Sequence, residues 1–192
     1  MGINIYTIRH PLVLNWVNYL THNKIHNNDR HELINKINLT LIYEACRKII
    51  QGNALYIKYI DQINEVWLTD NSRIDLFSSN INILQMIGKD IRDMIPNLNI
   101  HLVSWQNHSD SKSQPISTNG ANILTRTNTN IIILEEELES DNIVSTLKQI
   151  QSRQHKTQKI QICCCYCNTK ELDNLSQEYS ELDIYTGQIT DK

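Results

Sequence analysis

Glycine is scarce in this chain: the 192 residues contain five. None of the five lies between Ile131 and Asn142, the segment laid out most like a phosphate-cradling strand–loop–helix. Such a loop needs small residues so that backbone N–H groups can reach the anion, so the scarcity argues against glycine-rich phosphate binding. Aromatic content is also low, with one Phe, three Trp and eight Tyr, which leaves no platform for stacking bases. There is no excess of positive charge: a net charge of −3 and a pI near 6.1 give no footprint for nucleic acid. No apolar run approaches the roughly 20 residues that span a bilayer. The first, Ile3 to Ile8, is broken by Arg9, His10 and Pro11. The chain is therefore expected to be soluble and not secreted, with no membrane span.

Cysteine is present without forming a framework. Cys46 stands alone, and Cys163, Cys164, Cys165 and Cys167 crowd too closely for disulfides. A reducing intracellular compartment and no disulfides are expected. The hydrophobic content of 40% over 192 residues suffices for one core, so residues 1–192 are read as a single domain. Its first fifty residues are read as a helical arm, and residues 51–192 as an α/β core. Ile and Asn are abundant while Ala is rare. That bias points to an AT-rich genome such as an organelle's, with the plastid stroma as the expected location.

Along the chain, Ile3 to Ile8 is β-prone, and His10-Pro11 closes it because proline fixes its own φ and turns the preceding residue away from helix. Leu12, Val13, Trp16, Val17 and Leu20 recur at helical spacing. Asn27, Asn28 or Asp29 can cap a second helix with apolar positions at Leu33, Ile34, Ile37, Leu41, Ile42 and Ala45. After Gly52, runs from Ala54 to Ile60 and from Glu65 to Thr69 read as strands joined by a turn at Asp61-Gln62-Ile63-Asn64. A helix carrying Ile83, Met86, Ile87, Ile91 and Ile95 ends at Pro96. Strands are then expected at 100–105, 130–134, 160–167 and 183–189, and helices at 143–150 and 170–179, with a polar loop at 106–114. Strands alternating with helices imply a parallel sheet covered by helices.

Three motifs in register carry a resemblance. Ile8-Arg9-His10-Pro11-Leu12, Tyr43-Glu44-Ala45-Cys46-Arg47 and Ile184-Tyr185-Thr186 resemble the I-R-H-P-L, Y-E-A-T-R and I-Y-T motifs of the uracil phosphoribosyltransferases. The resemblance covers nearly the whole chain and implies a phosphoribosyltransferase-type parallel sheet flanked by helices, with an N-terminal helical arm that helps form a dimer. It also implies a reaction that joins uracil to phosphoribosyl pyrophosphate, usually with magnesium, and three subsites that such chemistry requires.

Each subsite departs from the family pattern. In the family's ribose-phosphate loop, D-P-M-L-A-T-G-G-S, Glu135 stands for the aspartate and Leu138 for the leucine, while Glu136, Glu137 and Glu139 intrude. Ser140, Asp141 and Asn142 occupy the T-G-G-S region, one residue short and without its glycines. Glu135, Ser140, Asp141 and Asn142 are thus read as a vestigial phosphate loop, and the acids as first-turn residues that stabilise a helix start. The pyrophosphate arginine of the family's R-A-G motif aligns with Asn82-Ile83-Leu84, and a second one falls in Gln106-Asn107-His108. His108 and Lys112 are poor replacements there, since lysine lacks arginine's bidentate fork. The sequence runs to Thr190-Asp191-Lys192 just past the I-Y-T strand, where the resemblance implies a further uracil-binding segment, so a base site is not expected.

Other clusters read as packing. Adjacent cysteines on a strand point to opposite faces, and free cysteine packs as a small hydrophobe, so Cys163 to Cys167 are expected in the core and not on zinc. Trp16, Trp67 and Trp105 are expected as core or interface anchors. His22 and His26 are four apart but sit where a helix ends, and no zinc-helix or Ser-His-Asp order stands out. No metal, no cofactor and no catalytic residue is expected. The sequence thus points to a non-catalytic, protein-binding or accessory role, as a homodimer or within a larger assembly. The alternative is a uracil phosphoribosyltransferase, making uridine monophosphate in pyrimidine salvage, with a substitute or partner-completed site.

Overall fold

The computed structural model describes residues 2–22, 26–70, 72–95, 97–103, 129–153 and 157–191. The expected helical hairpin forms as α1 (Pro11–His22) and α2 (Asn27–Cys46), preceded by β1 (Asn4–Thr7). The antiparallel pair β2 (Gly52–Lys58) and β3 (Ile63–Thr69) stands as a separate two-stranded sheet. There follow β4 (Ile74–Ser78), α3 (Ile81–Met94), β5 (Leu98–Leu102), β6 (Thr129–Glu137), α4 (Ser140–Arg153), β7 (Thr157–Asn168), α5 (Thr169–Glu178) and β8 (Asp183–Thr190). Six of the strands form one wholly parallel sheet in the order β1-β8-β7-β6-β4-β5.

The sheet has two buried faces, each written by the period-2 alternation of its strands. Ile74, Leu76, Ile132, Leu134, Cys163, Cys165 and Tyr185 pack against α1, α2 and α3. Phe77, Ile131, Ile133, Ile162, Cys164 and Ile184 pack on the other side, against α4 and α5. All five cysteines are buried and free, which gives the cysteine-rich strand the packing role its alternation implied. Helix starts follow local chemistry: Asn80 caps α3 by accepting from the amides of Asn82 and Ile83, and Asn168 caps α5 through Lys170.

Four expectations need correction. β4 is a central strand that periodicity did not reveal, because Asp75 interrupts its apolar run and is held inside by a hydrogen bond from Asn99 Nδ2 at 2.7 Å. The strand–helix turn after it is Ser79-Asn80, so Asn82-Ile83-Leu84 lies within the first turn of α3. β6 does not stop at Leu134 but runs through Glu137, so Glu135, Glu136 and Glu137 are strand residues and only Asp141 is a first-turn acid. Trp67 is 69% exposed on the hairpin, so of the two roles expected for it, core or interface anchor, the core one is excluded. Trp105, the segment Gln106-Asn107-His108 and Lys112 lie outside the described residues.

Candidate functional site

Topology alone selects one position for a ligand. From β4 the chain passes through α3 to β5, outward in one direction and over one face. From β6 it passes through α4, β7 and α5 to β8, outward in the other direction and over the opposite face. The switch point is between β4 and β6, and the crevice beyond the carboxyl ends of strands at such a point is where open α/β sheets bind ligands. A cavity of about 290 Å³ opens there, lined by Ser79, Asn80, Glu135, Glu136, Glu137, Glu139, Asn142 and Tyr166.

Two sets of donors at the ends of the elements around this crevice, those of Ser79 and Ser140, are already in use. At the end of β4 the Ser79 amide donates to Glu135 Oε1 at 2.8 Å, and the Ser79 hydroxyl contacts Glu135 Oε2 at 2.6 Å. At the start of α4 the amide of Ser140 donates to Glu171 Oε2 at 2.8 Å, and its hydroxyl contacts the same oxygen at 2.6 Å. The positive end of the α4 dipole is thus met by a carboxylate from the first turn of α5. These bonds hold the Glu171 carboxyl below its ordinary range. Burial pushes Glu135 up to about 6, against the lowering effect of its Ser79 hydrogen bonds. Glu136 is paired with Arg30 of α2, and Asn142 donates to Glu139.

Of the residues expected to be a vestigial loop, Glu135 and Asn142 line one crevice, whereas Ser140 is buried against Glu171 and Asp141 is exposed. Sequence reasoning missed Ser79, Asn80 and Glu171. Asn80 carries a local signal, a capping residue just before an apolar run of helical period. Glu171 carries none, because it meets Ser140 across 31 positions of chain. A phosphate about 4 Å from any one of the crevice carboxylates would be opposed by roughly 4 kcal/mol at the effective dielectric of a partly buried site. No cluster of three or more His, Cys, Asp or Glu among the described residues is arranged to hold a metal.

A parallel sheet with its crevice at this switch point can be compared directly with known structures. The AQ2163 protein of Aquifex aeolicus superposes with a TM-score of 0.72, at 15% identity, over 96% of this chain and 86% of its own. The orotate phosphoribosyltransferase of Mycobacterium tuberculosis, in complex with 5-phospho-alpha-D-ribosyl 1-diphosphate, superposes with a TM-score of 0.53 at 8% identity, over 95% and 91%. The fold is of the phosphoribosyltransferase type. In sequence, the chain is similar to the uracil phosphoribosyltransferase homolog of Porphyra purpurea, at 24% identity over 98% of this chain and 89% of that one. The homolog of Pyropia yezoensis is 21% identical with the same coverage. No family model matches the chain. Within this phosphoribosyltransferase-type fold, no helix among the described residues is long and apolar enough to cross a membrane.

Proposed function

We propose that this chain is a non-catalytic uracil phosphoribosyltransferase-like protein, serving as a protein-binding or structural subunit in a homodimer or a larger assembly. The observation that carries the reading is the occupation of both anion-binding positions by the chain's own carboxylates: Glu135 on the β4–α3 turn and Glu171 on the start of α4. Catalysis of phosphoribosyl transfer relies on donors and positive charge placed in advance where negative charge must be held. Here the Ser79 and Ser140 donors are spent on the chain's own carboxylates, and the lining of the crevice contributes four carboxylates and no cation. The Ile- and Asn-rich composition and the red-algal source of both relatives support a plastid location.

The test is formation of uridine monophosphate from uracil and phosphoribosyl pyrophosphate with magnesium, by the purified chain and by the chain recovered from its native source with whatever accompanies it. No turnover above the uncatalysed rate is expected in either sample. Robust turnover by the purified chain rejects the proposal. Turnover only in the native sample establishes the alternative, an enzyme completed by a partner.

Support for the protein-binding half comes from the hairpin. Every residue of β2 and β3 is exposed, and a lone two-stranded sheet is marginal in water without something to pack on. Ile60, Ile63, Tyr56 and Trp67 are 100%, 66%, 64% and 69% exposed, a density of apolar groups that marks interaction surfaces. Ile60→Ser with Trp67→Ser is therefore expected to leave the melting temperature within about 2 °C, because both side chains lie outside the core. The same change should shift the sedimentation coefficient of the native complex to that of a smaller species. An unchanged coefficient would remove the hairpin from the interface.

A further inference from the structure

A second cavity, of about 710 Å³, opens on the α1–α2 side of the sheet at its β1 edge. Its volume falls within the range of small-molecule sites. Three cations, Arg9, Arg47 and Lys48, line it with His10, against the single carboxylate of Glu44. In a chain of net charge −3 this is the reverse of the switch-point crevice, where four carboxylates face no lining cation. Anion-attracting potential therefore lies at the β1 edge.

Each cation retains capacity for a ligand. Arg47 donates to Glu44 from Nη1 at 2.9 Å, leaving the rest of its guanidinium fork for another acceptor. Arg9 is exposed and makes no ion pair among the described residues. The Lys48 ammonium sits 3.5 Å from the centre of the Tyr6 ring, which is itself stacked on Tyr185 at 5.0 Å. A cation–π contact of this kind positions an ammonium without neutralising it. Lys48 also reaches Asp183, but at 3.8 Å, and that carboxylate is paired more closely with Lys159 at 2.9 Å.

The start of α1 adds to the same potential. Its first residue, Pro11, follows His10 directly, and its first turn carries no acidic side chain. The Leu12 amide donates to His10 Nδ1 at 3.3 Å, and no carboxylate among the described residues meets the dipole there, in contrast to α4, whose start is taken by Glu171. The tyrosine pair is occupied in stacking and in holding Lys48, so the groove suits a compact oxyanion and not a planar base.

We propose that the groove at the β1 edge binds a phosphate group, free or at the end of a small ester, with Arg9, Arg47 and Lys48 as its donors. Guanidinium forks give bidentate hydrogen bonds to tetrahedral oxyanions, and a fixed ammonium adds a point charge. The inference is independent of whether the switch-point crevice is catalytic.

Isothermal titration of the full chain with inorganic phosphate, pyrophosphate and a simple sugar phosphate, at low ionic strength, tests it. One saturable site is expected, and the ranking of the three probes separates the free ion from the ester. Arg9→Ala and Arg47→Ala should each weaken binding about tenfold, equivalent to about 1.4 kcal/mol. Glu44→Gln, which removes the competing carboxylate, should tighten it, and Ser79→Ala at the switch-point crevice should leave it unchanged. The side chains of Arg9 and Arg47 are exposed, so circular dichroism of both variants should match the parent. Absence of saturable binding at millimolar phosphate, equal binding by parent and arginine variants, or loss of binding in Ser79→Ala would each overturn the proposal.

Discussion

Gly187→Ala is expected to destabilise the fold by about 3 kcal/mol, the upper end of the usual cost of overpacking a core, and to lower the melting temperature by about 6–12 °C for a domain of this size. Gly187 lies in β8 where α1 crosses the sheet. A Cβ added there would sit 2.6 Å from Val17 Cγ2 and 2.9 Å from the carbonyl oxygen of Cys165. Val17 could move only by pushing α1 off the sheet, since Val13 and Val17 are both 1% exposed. The carbonyl has less freedom, because it belongs to β7, a central strand of the sheet. Pairing the change with Val17→Ala should recover part of the loss and no more, because the carbonyl contact remains. Thermal and urea unfolding of the three variants measures this. A single variant that melts within 2 °C of the parent would show that α1 is not seated as described.

The second large effect is the pH dependence contributed by one carboxyl, Glu135. In the folded chain Glu135 titrates at about 6 against an ordinary value of 4.5, because burial penalises its charged form. In the unfolded chain it takes the ordinary value, so between these two values the native state binds more protons than the unfolded one. Stability from this group is fully present below about 4.5 and is lost as pH rises through about 6. The total is about 2 kcal/mol, from the conversion of about 1.4 kcal/mol per pH unit. Glu135→Gln keeps the geometry, with its carbonyl accepting from the Ser79 amide and its amide donating to the Ser79 hydroxyl. The variant should be more stable than the parent by about 2 kcal/mol at neutral pH, and the two should converge near the ordinary carboxylate value. Denaturant unfolding at several pH values gives the difference directly. A glutamine variant that is weaker throughout would mean that the Ser79 bonds outweigh the burial of charge.

Much of this fold was legible because local chemistry and tertiary demand agree. The heavy apolar positions of α1 and α2 recur at helical spacing, and Asn80 and Asn168 announce their helices as capping residues. The strand from Ile160 to Cys167 could be read from its largely apolar run, interrupted by Gln161, the mark of a sheet covered on both sides. Where the reading failed, distant residues had made local polarity acceptable. Asp75 ended a recognisable strand pattern only because Asn99, 24 residues away, could not be foreseen as its partner. Glu135 and Glu136 looked like the end of a strand, yet Ser79 and Arg30 hold them within it. The candidate site was half visible for the same reason. Its own acids lie together in sequence, but the serine amides and Glu171 that close it come from three other elements.

The sheet also acts as a partition. Its two faces bury separate sets of side chains, one shared with α1, α2 and α3 and the other with α4 and α5, and a close-packed layer of backbone lies between them. A volume change on one side is therefore absorbed on that side, and substitutions in the two half-cores should combine additively when their sites are well separated. Such compartments let a sequence drift one half at a time without losing the whole, a tolerance in keeping with a fold retained at 15% identity to its Aquifex counterpart.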